Sequence, residues 1–236
     1  MQKDKRTIYK LFDLISGRYE MVNHILSCFM DDMWRKKLAK KIPEKGKFSI
    51  LDLCCGSGSQ SIAILKHSKQ AKCIGIDLSE NLLKIAENKA KKLNLKERLT
   101  FLKGDVVDMP FEDETFDYAT VSFGIRNVYD LKKCFAETHR VLKGGGWFLI
   151  LEFSMPKNII LKTMFSLYLN FVVPFLGWVI TNEKDAYDYL KDSIKNFSLL
   201  DISEELKKSG FLEVSEESLC FGAVRIYCSS KANCTI

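Results

Sequence analysis

The chain has 236 residues, of which 47% are hydrophobic and 28% are charged. This length suits one large domain or a domain with a cap, and the composition excludes a disordered chain. The net charge of +6 arises in residues 1–47, which hold twelve Lys/Arg against six Asp/Glu, while the rest of the chain is balanced. Such a basic segment is either a solvated helix face or a surface that faces the phosphates of a membrane or a nucleic acid.

Cysteine and histidine usage indicates a reduced protein without a metal. The eight cysteines form no CxxC pair, and the chain opens on the polar stretch Met1–Lys10 instead of a signal peptide. Both features predict free thiols in a cytoplasmic protein. The three histidines are scattered, so no metal site is expected.

The hydrophobic pattern predicts helices within residues 7–47 and then a series of strands and helices. Five short apolar runs are predicted as strands: Phe48–Leu53, Lys72–Ile76, Leu99–Leu102, Phe116–Phe123 and Trp147–Phe153. Ser79 and Asp130 can cap two of the intervening helices, and Gly144–Gly146 are expected to stop the second of these. The alternation predicts a parallel sheet with helices on both faces.

The pattern changes after residue 156. A long apolar segment precedes a helical stripe at 183–197, and a further helix ends at Gly210. Val214–Leu219 and Phe221–Cys228 can pair as an antiparallel hairpin at the sheet edge. Thr163–Thr181 is long enough to span a membrane, but a span would detach the following elements from the sheet. We expect helices that cap the site, accept an apolar tail and touch the membrane surface. The alternative is ordinary packing of this segment in the core.

Four parts are therefore predicted. They are an N-terminal helical segment at 1–47, a cofactor-binding core at 48–156, a helical cap over the substrate site at 157–198, and a C-terminal helix with an edge hairpin at 199–236.

A glycine loop directly follows the first strand, in Leu51-Asp52-Leu53-Cys54-Cys55-Gly56-Ser57-Gly58. Gly56 and Gly58 supply a tight turn that brings the backbone close to a ligand at the carboxyl end of the sheet. The dinucleotide pattern G-x-G-x-x-G would need a glycine where Ser61 stands, so a pyrophosphate cradle is disfavoured.

Polar residues lie at the ends of the next three strands, at Asp77, Asp105 and Ser122. A carboxylate at Asp77 can accept hydrogen bonds from the two hydroxyls of a ribose, and Asp105 lies where an adenine would be. Each residue alone could merely cap a helix or a turn. Their combination with the glycine loop favours a cofactor site.

The loop resembles the motif D-x-G-x-G-x-G of S-adenosylmethionine-dependent methyltransferases, except that Cys54 replaces the first glycine and that position must tolerate a side chain. A mainly parallel sheet closed by an antiparallel hairpin is also the plan of this Rossmann-like class I α/β fold. Other subclasses are disfavoured because no [DN]PP[YF] motif, no Pro-Cys pair and no carboxylate cluster for magnesium occur.

Longer motifs narrow the class. They are Phe12-Asp13 with Tyr19 and Asn23, Ser122-Phe123-Gly124-Ile125-Arg126-Asn127-Val128, Leu151-Glu152-Phe153-Ser154-x-Pro156 and Tyr187-x-Tyr189-Leu190-x-x-Ser193-Ile194. Together they closely resemble the ubiquinone/menaquinone biosynthesis C-methyltransferase family, from about Tyr9 to Tyr227. The resemblance implies methyl transfer from S-adenosylmethionine to a ring carbon of a prenylated quinol. Beside Gly56 and Gly58 it implies cofactor positions at Asp52, Ser57, Asp77, Asp105, Val106 and Ser122.

Carbon methylation of a quinol needs electron density on the ring, which the loss of a hydroxyl proton supplies. An unperturbed phenol has a pKa of about 10, so the site must stabilise a phenolate. Arg126 is a fixed positive charge suited to that task, and Asn127 can orient the ring oxygen or a water molecule. A base must receive the proton, and Tyr19 and Glu152 are the candidates. The alternative for Arg126 is a structural ion pair.

Several alternatives stay open at this point. The acceptor is either a demethylmenaquinol or a benzoquinol precursor of ubiquinone, and we favour the former because the naphthoquinol activity is the more widely distributed in the family. Another small molecule or RNA is a second alternative, although the apolar cap favours a lipid and no nucleic acid is expected. A scaffold subunit without activity is a third, opposed by the intact Asp77, Asp105 and Arg126. Oligomerisation is left open.

Overall fold

The computed structural model describes residues 24, 25, 27, 29–176 and 184–233, with the backbone alone at 184–188. The helices expected before residue 24 and the candidate base Tyr19 lie outside the described residues.

Seven strands form one sheet in the order β3-β2-β1-β4-β5-β7-β6. Their bounds are Ser49–Leu53 for β1, Lys72–Asp77 for β2, Leu99–Lys103 for β3, Phe116–Ser122 for β4, Leu142–Phe153 for β5, Leu212–Leu219 for β6 and Val224–Ser230 for β7. β1 to β5 pair in parallel, and β7 runs antiparallel to both β5 and β6. The predicted Rossmann-like plan with a C-terminal antiparallel hairpin is confirmed.

Seven α-helices are described, with bounds Asp31–Ala39 for α1, Ser59–His67 for α2, Glu80–Lys92 for α3, Leu131–Val141 for α4, Ile159–Leu167 for α5, Lys184–Phe197 for α6 and Ile202–Lys208 for α7. Both predicted caps are confirmed. The Ser79 hydroxyl accepts the N–H of Leu82 at the start of α3. The Asp130 carboxylate accepts the N–H of Lys133 at the start of α4. Each bond satisfies a backbone donor that has no partner within its helix.

The glycine run Gly144–Gly146 lies inside β5, which begins five residues earlier than predicted because α4 ends at Val141. Between β4 and β5 the register jumps, since Phe116 pairs with Leu142 but Tyr118 pairs with Trp147. A Cβ at Gly146 would lie 2.9 Å from a carbonyl oxygen of the same run. The glycines therefore form an irregularity in the strand instead of a helix stop.

The turn between β6 and β7 is longer than the alternation predicts. Phe221 was expected in the second strand of the hairpin, but it lies in a 3-10 turn at Cys220–Gly222 with φ +56° and is 83% exposed. β7 begins only at Val224. A single exposed aromatic residue next to a strand fits the alternation of apolar and polar residues expected of a strand. The sequence therefore could not reveal the turn.

Hydrophobic residues pack on both faces of the sheet. One cluster contains Phe116, Phe135 and Phe148, and the other contains Trp34 and Leu38 of α1. The carboxyl ends of β1 to β4 meet at one edge between these layers, which is where ligands bind in open α/β sheets.

α5 continues as a π-helical stretch at Tyr168–Val172 and packs Leu169 and Val173 against Ile194 of α6. Ile159–Leu176 is the one helix among the described residues that is long and apolar enough to cross a membrane, and 11% of it is buried.

Candidate active site

The glycine loop and the end of β2 are joined by one carboxylate. Oδ2 of Asp77 accepts the N–H of Gly56 at 2.8 Å, and Oδ1 accepts the N–H of Ser79 at 2.9 Å. Asp77 therefore fixes the loop against the start of α3. Because its side chain is only partly buried, the carboxylate could also accept hydrogen bonds from a ligand at this edge.

The two glycines of the loop have different roles. Gly56 has φ +52°, and a Cβ there would meet only Leu82, at 3.8 Å. Gly58 has φ +77°, and its Cβ would lie 2.8 Å from the ring of Phe101. Gly58 is thus required by packing, whereas Gly56 leaves open space that a cofactor can approach. The open side of Gly56 and the carboxylate of Asp77 fit a cofactor with a ribose.

Cys54, which replaces the usual first glycine, has φ +49°, a conformation that favours glycine. Its side chain has room because residue 124 is a glycine, at which a Cβ would lie 2.5 Å from the Cβ of Cys54. Burial raises the pKa of the Cys54 and Cys55 thiols well above the ordinary value. Both remain protonated, as expected of packed side chains and not of nucleophiles.

Asp52 is fully buried beneath the loop. Its carboxylate accepts the Ser61 hydroxyl at 2.5 Å and the Thr120 hydroxyl at 2.7 Å. Burial raises the pKa of Asp52 to about 6. These contacts tie β1 to β4 and α2, so Asp52 supports the loop from below and does not line the crevice.

Ser57 and Val106 are also buried, at 4% and 6% exposure. Val106 belongs to the hydrophobic core on one face of the sheet. The backbone carbonyl of Ser57 accepts the Lys89 ammonium at 3.2 Å, which links the loop to α3.

Asp105 is bonded to the loop that follows β4. Its carboxylate accepts the N–H of Val107 at 3.2 Å and the hydroxyl of Tyr129 at 3.1 Å. Tyr129 is 42% exposed, and no motif in the sequence points to it. The contact joins the loops after β3 and β4 at the same edge of the sheet.

Ser122, at the end of β4, begins a chain of hydrogen bonds. Its hydroxyl donates to Gln60 Oε1 at 2.9 Å, and Gln60 Nε2 donates to the carbonyl of Arg35 at 3.3 Å. Gln60 is buried in α2 and Arg35 lies in α1. The strand end is therefore tied to the N-terminal helix.

Arg126 lies in a 3-10 turn at Ile125–Asn127 and is 4% exposed. Its Nη1 donates to Glu152 Oε1 at 2.7 Å and to the carbonyl of Phe123 at 2.5 Å. Glu152, on β5, is completely buried. The structural ion pair considered for Arg126 thus exists, and the guanidinium is fixed at the end of β4.

An aromatic cluster begins beside this ion pair. The guanidinium of Arg126 lies over the ring of Phe153, 5.5 Å from its centroid. Phe153 packs on Phe123 at 4.7 Å and on Trp34 at 6.3 Å between centroids. Apolar rings beside a fixed cation suit an aromatic acceptor that becomes negatively charged.

Asn127 and Arg126 are both held by α6. The Tyr189 hydroxyl donates to Asn127 Oδ1 at 3.2 Å, and Arg126 Nε donates to Ser193 Oγ at 3.3 Å. In the sequence, Tyr189 and Ser193 stand out only as parts of a family motif. Two hydroxyl residues four positions apart share one face of a helix, and this spacing was the signal that was missed.

His24, Asp31 and Asp32 form the one group among the described residues whose side chains could surround a metal ion. His24 Nδ1 is 2.7 Å from Asp31 Oδ1, and the Ser27 hydroxyl donates to the same oxygen. These contacts account for the cluster as hydrogen bonds that hold the start of α1.

Solved structures with a similar fold include S-adenosylmethionine-dependent methyltransferases. One from Thermotoga maritima, described as a possible histamine N-methyltransferase, has a TM-score of 0.65 and 20% identity over 95% of this chain and 99% of that one. A Haemonchus contortus phosphoethanolamine N-methyltransferase with S-adenosylmethionine bound has a TM-score of 0.62 and 18% identity over 84% of this chain and 52% of that one. A [4+2]-cyclase matches with a TM-score of 0.67 and 15% identity, over 96% of each chain. These likenesses therefore show the fold and do not specify the reaction.

The profile of the ubiE/COQ5 methyltransferase family matches residues 1–231. A demethylmenaquinone methyltransferase of Staphylococcus saprophyticus is 34% identical over 232 residues, which cover 96% of this chain and 97% of that protein. One from Bacteroides fragilis is 34% identical over 230 residues, 97% of this chain and 94% of that protein. The chain belongs to the ubiE/COQ5 methyltransferase family, and it is an S-adenosylmethionine-dependent methyltransferase.

We expect Asp77→Asn to weaken S-adenosylmethionine binding by about 10- to 100-fold, because a hydrogen bond to a charged group contributes about 1.5–3 kcal/mol. Titration calorimetry measures the affinity. Asp117→Asn is the matched control, since Asp117 accepts the N–H of Ser49 at 2.8 Å at the opposite end of the sheet. Unchanged affinity in Asp77→Asn, with the fold intact, would remove Asp77 from the cofactor site.

Proposed function

We propose that this enzyme transfers a methyl group from S-adenosylmethionine to a ring carbon of demethylmenaquinol, giving menaquinol. The relatives matched over nearly their whole length carry the name of that activity. The observation that carries the proposal is the Arg126 guanidinium, fixed among aromatic rings at the end of β4. A benzoquinol precursor of ubiquinone is the alternative acceptor.

The cofactor site that we propose consists of the glycine loop and the ends of β2, β3 and β4. Gly56 allows close approach, Asp77 accepts the ribose hydroxyls, Asp105 lies beside the adenine, and Ser122 lies at the end of β4. Asp52, Ser57, Gly58 and Val106 support these positions from the buried side. The bound cofactor supplies a methyl group on a positively charged sulfur.

Arg126 and Asn127 act on the acceptor in this proposal. Loss of a ring hydroxyl proton leaves a phenolate, and the guanidinium stabilises that charge while Asn127 donates a hydrogen bond to the oxygen. The ring carbon then bonds to the methyl carbon and the methyl–sulfur bond breaks. The ring carbon then releases its proton to solvent and the ring oxygen regains a proton, which restores the aromatic quinol.

Glu152 is better suited to holding Arg126 than to receiving the proton. Its two carboxylate oxygens accept Nη1 and the backbone N–H of Arg126 and the N–H of Phe153. Both oxygens of this buried carboxylate already accept hydrogen bonds from these donors. We therefore assign the role of base to Tyr19 or to a water molecule. Substitution of Tyr19 tests this assignment directly.

We predict that Arg126→Met combined with Glu152→Gln lowers turnover by about a hundredfold, the effect expected for losing one such charge contact. The pair of changes leaves no unpaired buried charge, whereas removing one partner alone would cost about 3–5 kcal/mol of stability. Transfer of labelled methyl to a short-tailed demethylmenaquinol measures turnover, and calorimetry measures cofactor affinity, which should stay within a few-fold.

The same assay separates the alternatives. Full turnover of the double variant would reduce Arg126 to a structural residue. Faster transfer to the benzoquinol precursor would reverse the choice of acceptor, and cofactor binding without any transfer by the unaltered protein would favour a scaffold.

We further propose that α5 lies on the membrane surface, where the quinol tail is dissolved. The exposed side of α5 and of the helical turns that continue it to Leu176 carries a stripe of large apolar residues, Ile160, Met164, Leu167, Phe171 and Phe175. Their spacing puts them on one helix face, and Lys157 and Lys162 are exposed near its start. An apolar stripe with flanking lysines suits an anionic lipid surface.

A surface position agrees better with the sheet than a span. β5 precedes the helix and β7 follows it, yet the two strands are neighbours in one sheet. A single crossing would put them on opposite sides of the membrane. We therefore propose a cytoplasmic protein that binds the membrane peripherally.

We expect Met164→Glu with Phe171→Glu to abolish most flotation with vesicles of phosphatidylglycerol and phosphatidylcholine, because burying the stripe would then require burying charge. Leu199→Glu is the matched control, since Leu199 is 83% exposed but lies off the stripe. Extraction of the native protein only by detergent, never by salt or carbonate, would instead indicate a span.

A further inference from the structure

α6 directs two hydroxyl groups onto the turn that carries the proposed catalytic residues. Tyr189 Oη lies 3.2 Å from Asn127 Oδ1, and Ser193 Oγ lies 3.3 Å from Arg126 Nε. The two hydroxyl residues are one helical turn apart in α6, and their partners Arg126 and Asn127 are adjacent in the chain. One helix face therefore fixes both proposed catalytic side chains.

We propose that Tyr189 and Ser193 are positioning residues for methyl transfer, which set the directions of the Asn127 amide and the Arg126 guanidinium. The inference rests on the proposed function, because it gains its meaning from the roles of Asn127 and Arg126 at the ring oxygen.

Tyr189 determines which end of the Asn127 amide faces the acceptor. Because the phenol donates to Oδ1, the two Nδ2 protons of Asn127 point to the other side. Hydrogen-bond donors stabilise a phenolate oxygen, whereas the amide oxygen would repel it. Burial raises the pKa of Tyr189, although Arg126 opposes the shift. The phenol thus keeps the proton that it must donate.

Ser193 holds the guanidinium at its Nε atom. Its hydroxyl donates to the carbonyl of Leu190 at 2.7 Å and accepts Nε of Arg126. Since the single hydroxyl proton is used within the helix, the oxygen is left as an acceptor for Arg126. Ser193, Glu152 and the Phe123 carbonyl then hold the guanidinium from three directions.

α6 is itself fixed on α5. Ile194 packs with Leu169 and Val173, and the Lys195 ammonium donates to Asn170 Oδ1 at 2.7 Å. The positions of the two hydroxyls therefore depend on the packing of α6 against the helical segment whose exposed side carries the apolar stripe.

The test is a double-mutant cycle with Tyr189→Phe and Asn127→Ala, measured by labelled methyl transfer to short-tailed demethylmenaquinol. Tyr189→Phe should lower kcat about tenfold, the value of one hydrogen bond, with the cofactor Kd and the melting temperature little changed. In the Asn127→Ala background the same change should have almost no further effect, because Tyr189 acts through Asn127. Tyr118→Phe is the control, since Tyr118 packs on Phe48 at the far end of the sheet.

Ser193→Ala provides a second test. It should lower kcat several-fold, whereas Ser198→Ala should leave kcat unchanged, because Ser198 also bonds to a carbonyl of its own helix, at 2.7 Å, but is not bonded to Arg126.

Two results would overturn the inference. Losses in Tyr189→Phe and Asn127→Ala that multiply in the double variant would mean that Tyr189 acts independently. If kcat were unchanged in Tyr189→Phe but lowered in Asn127→Ala, Asn127 would be catalytic and Tyr189 would not position it. Full activity of Asn127→Ala is distinguishable from both, because it contradicts the proposed function and the inference together.

Discussion

The buried ion pair between Arg126 and Glu152 constrains the whole site. Both side chains are withdrawn from water, and either charge left alone there would cost several kcal/mol. The turn after β4 is therefore locked to β5, with the guanidinium over Phe153. This is the place where the proposed chemistry needs a fixed positive charge, and it requires no reorganisation when charge develops on the acceptor.

Carboxylates organise the opposite side of the crevice in a similar way. Asp77 fastens the glycine loop to α3, and Asp52 fastens β1 to β4 and α2 from beneath. In the proposed function, this edge holds the cofactor, and the buried ion pair lies next to the acceptor at the turn that follows Ser122.

The sequence predicted those features that follow from local chemistry. The caps at Ser79 and Asp130, the parallel strands and the glycine loop depend on neighbouring residues, and all were found. Features that depend on tertiary contacts were missed. The burial of Asp52 requires Thr120 of another strand. The side chain of Cys54 fits because Gly124, in another loop, has no side chain at the point where the two loops meet. The hydroxyls of Tyr189 and Ser193 acquire partners only when α6 docks.

The central claim is that negative charge builds on a ring oxygen beside Arg126 before the carbon–carbon bond forms. A reduced quinol has a hydroxyl proton to lose, whereas the oxidised quinone has none and its ring is electron-poor. The most direct measurement is transfer of labelled methyl to short-tailed demethylmenaquinol kept reduced, compared with the oxidised acceptor in the absence of reductant. We predict ring methylation only with the reduced acceptor, and equal methylation of the oxidised quinone would contradict the mechanism.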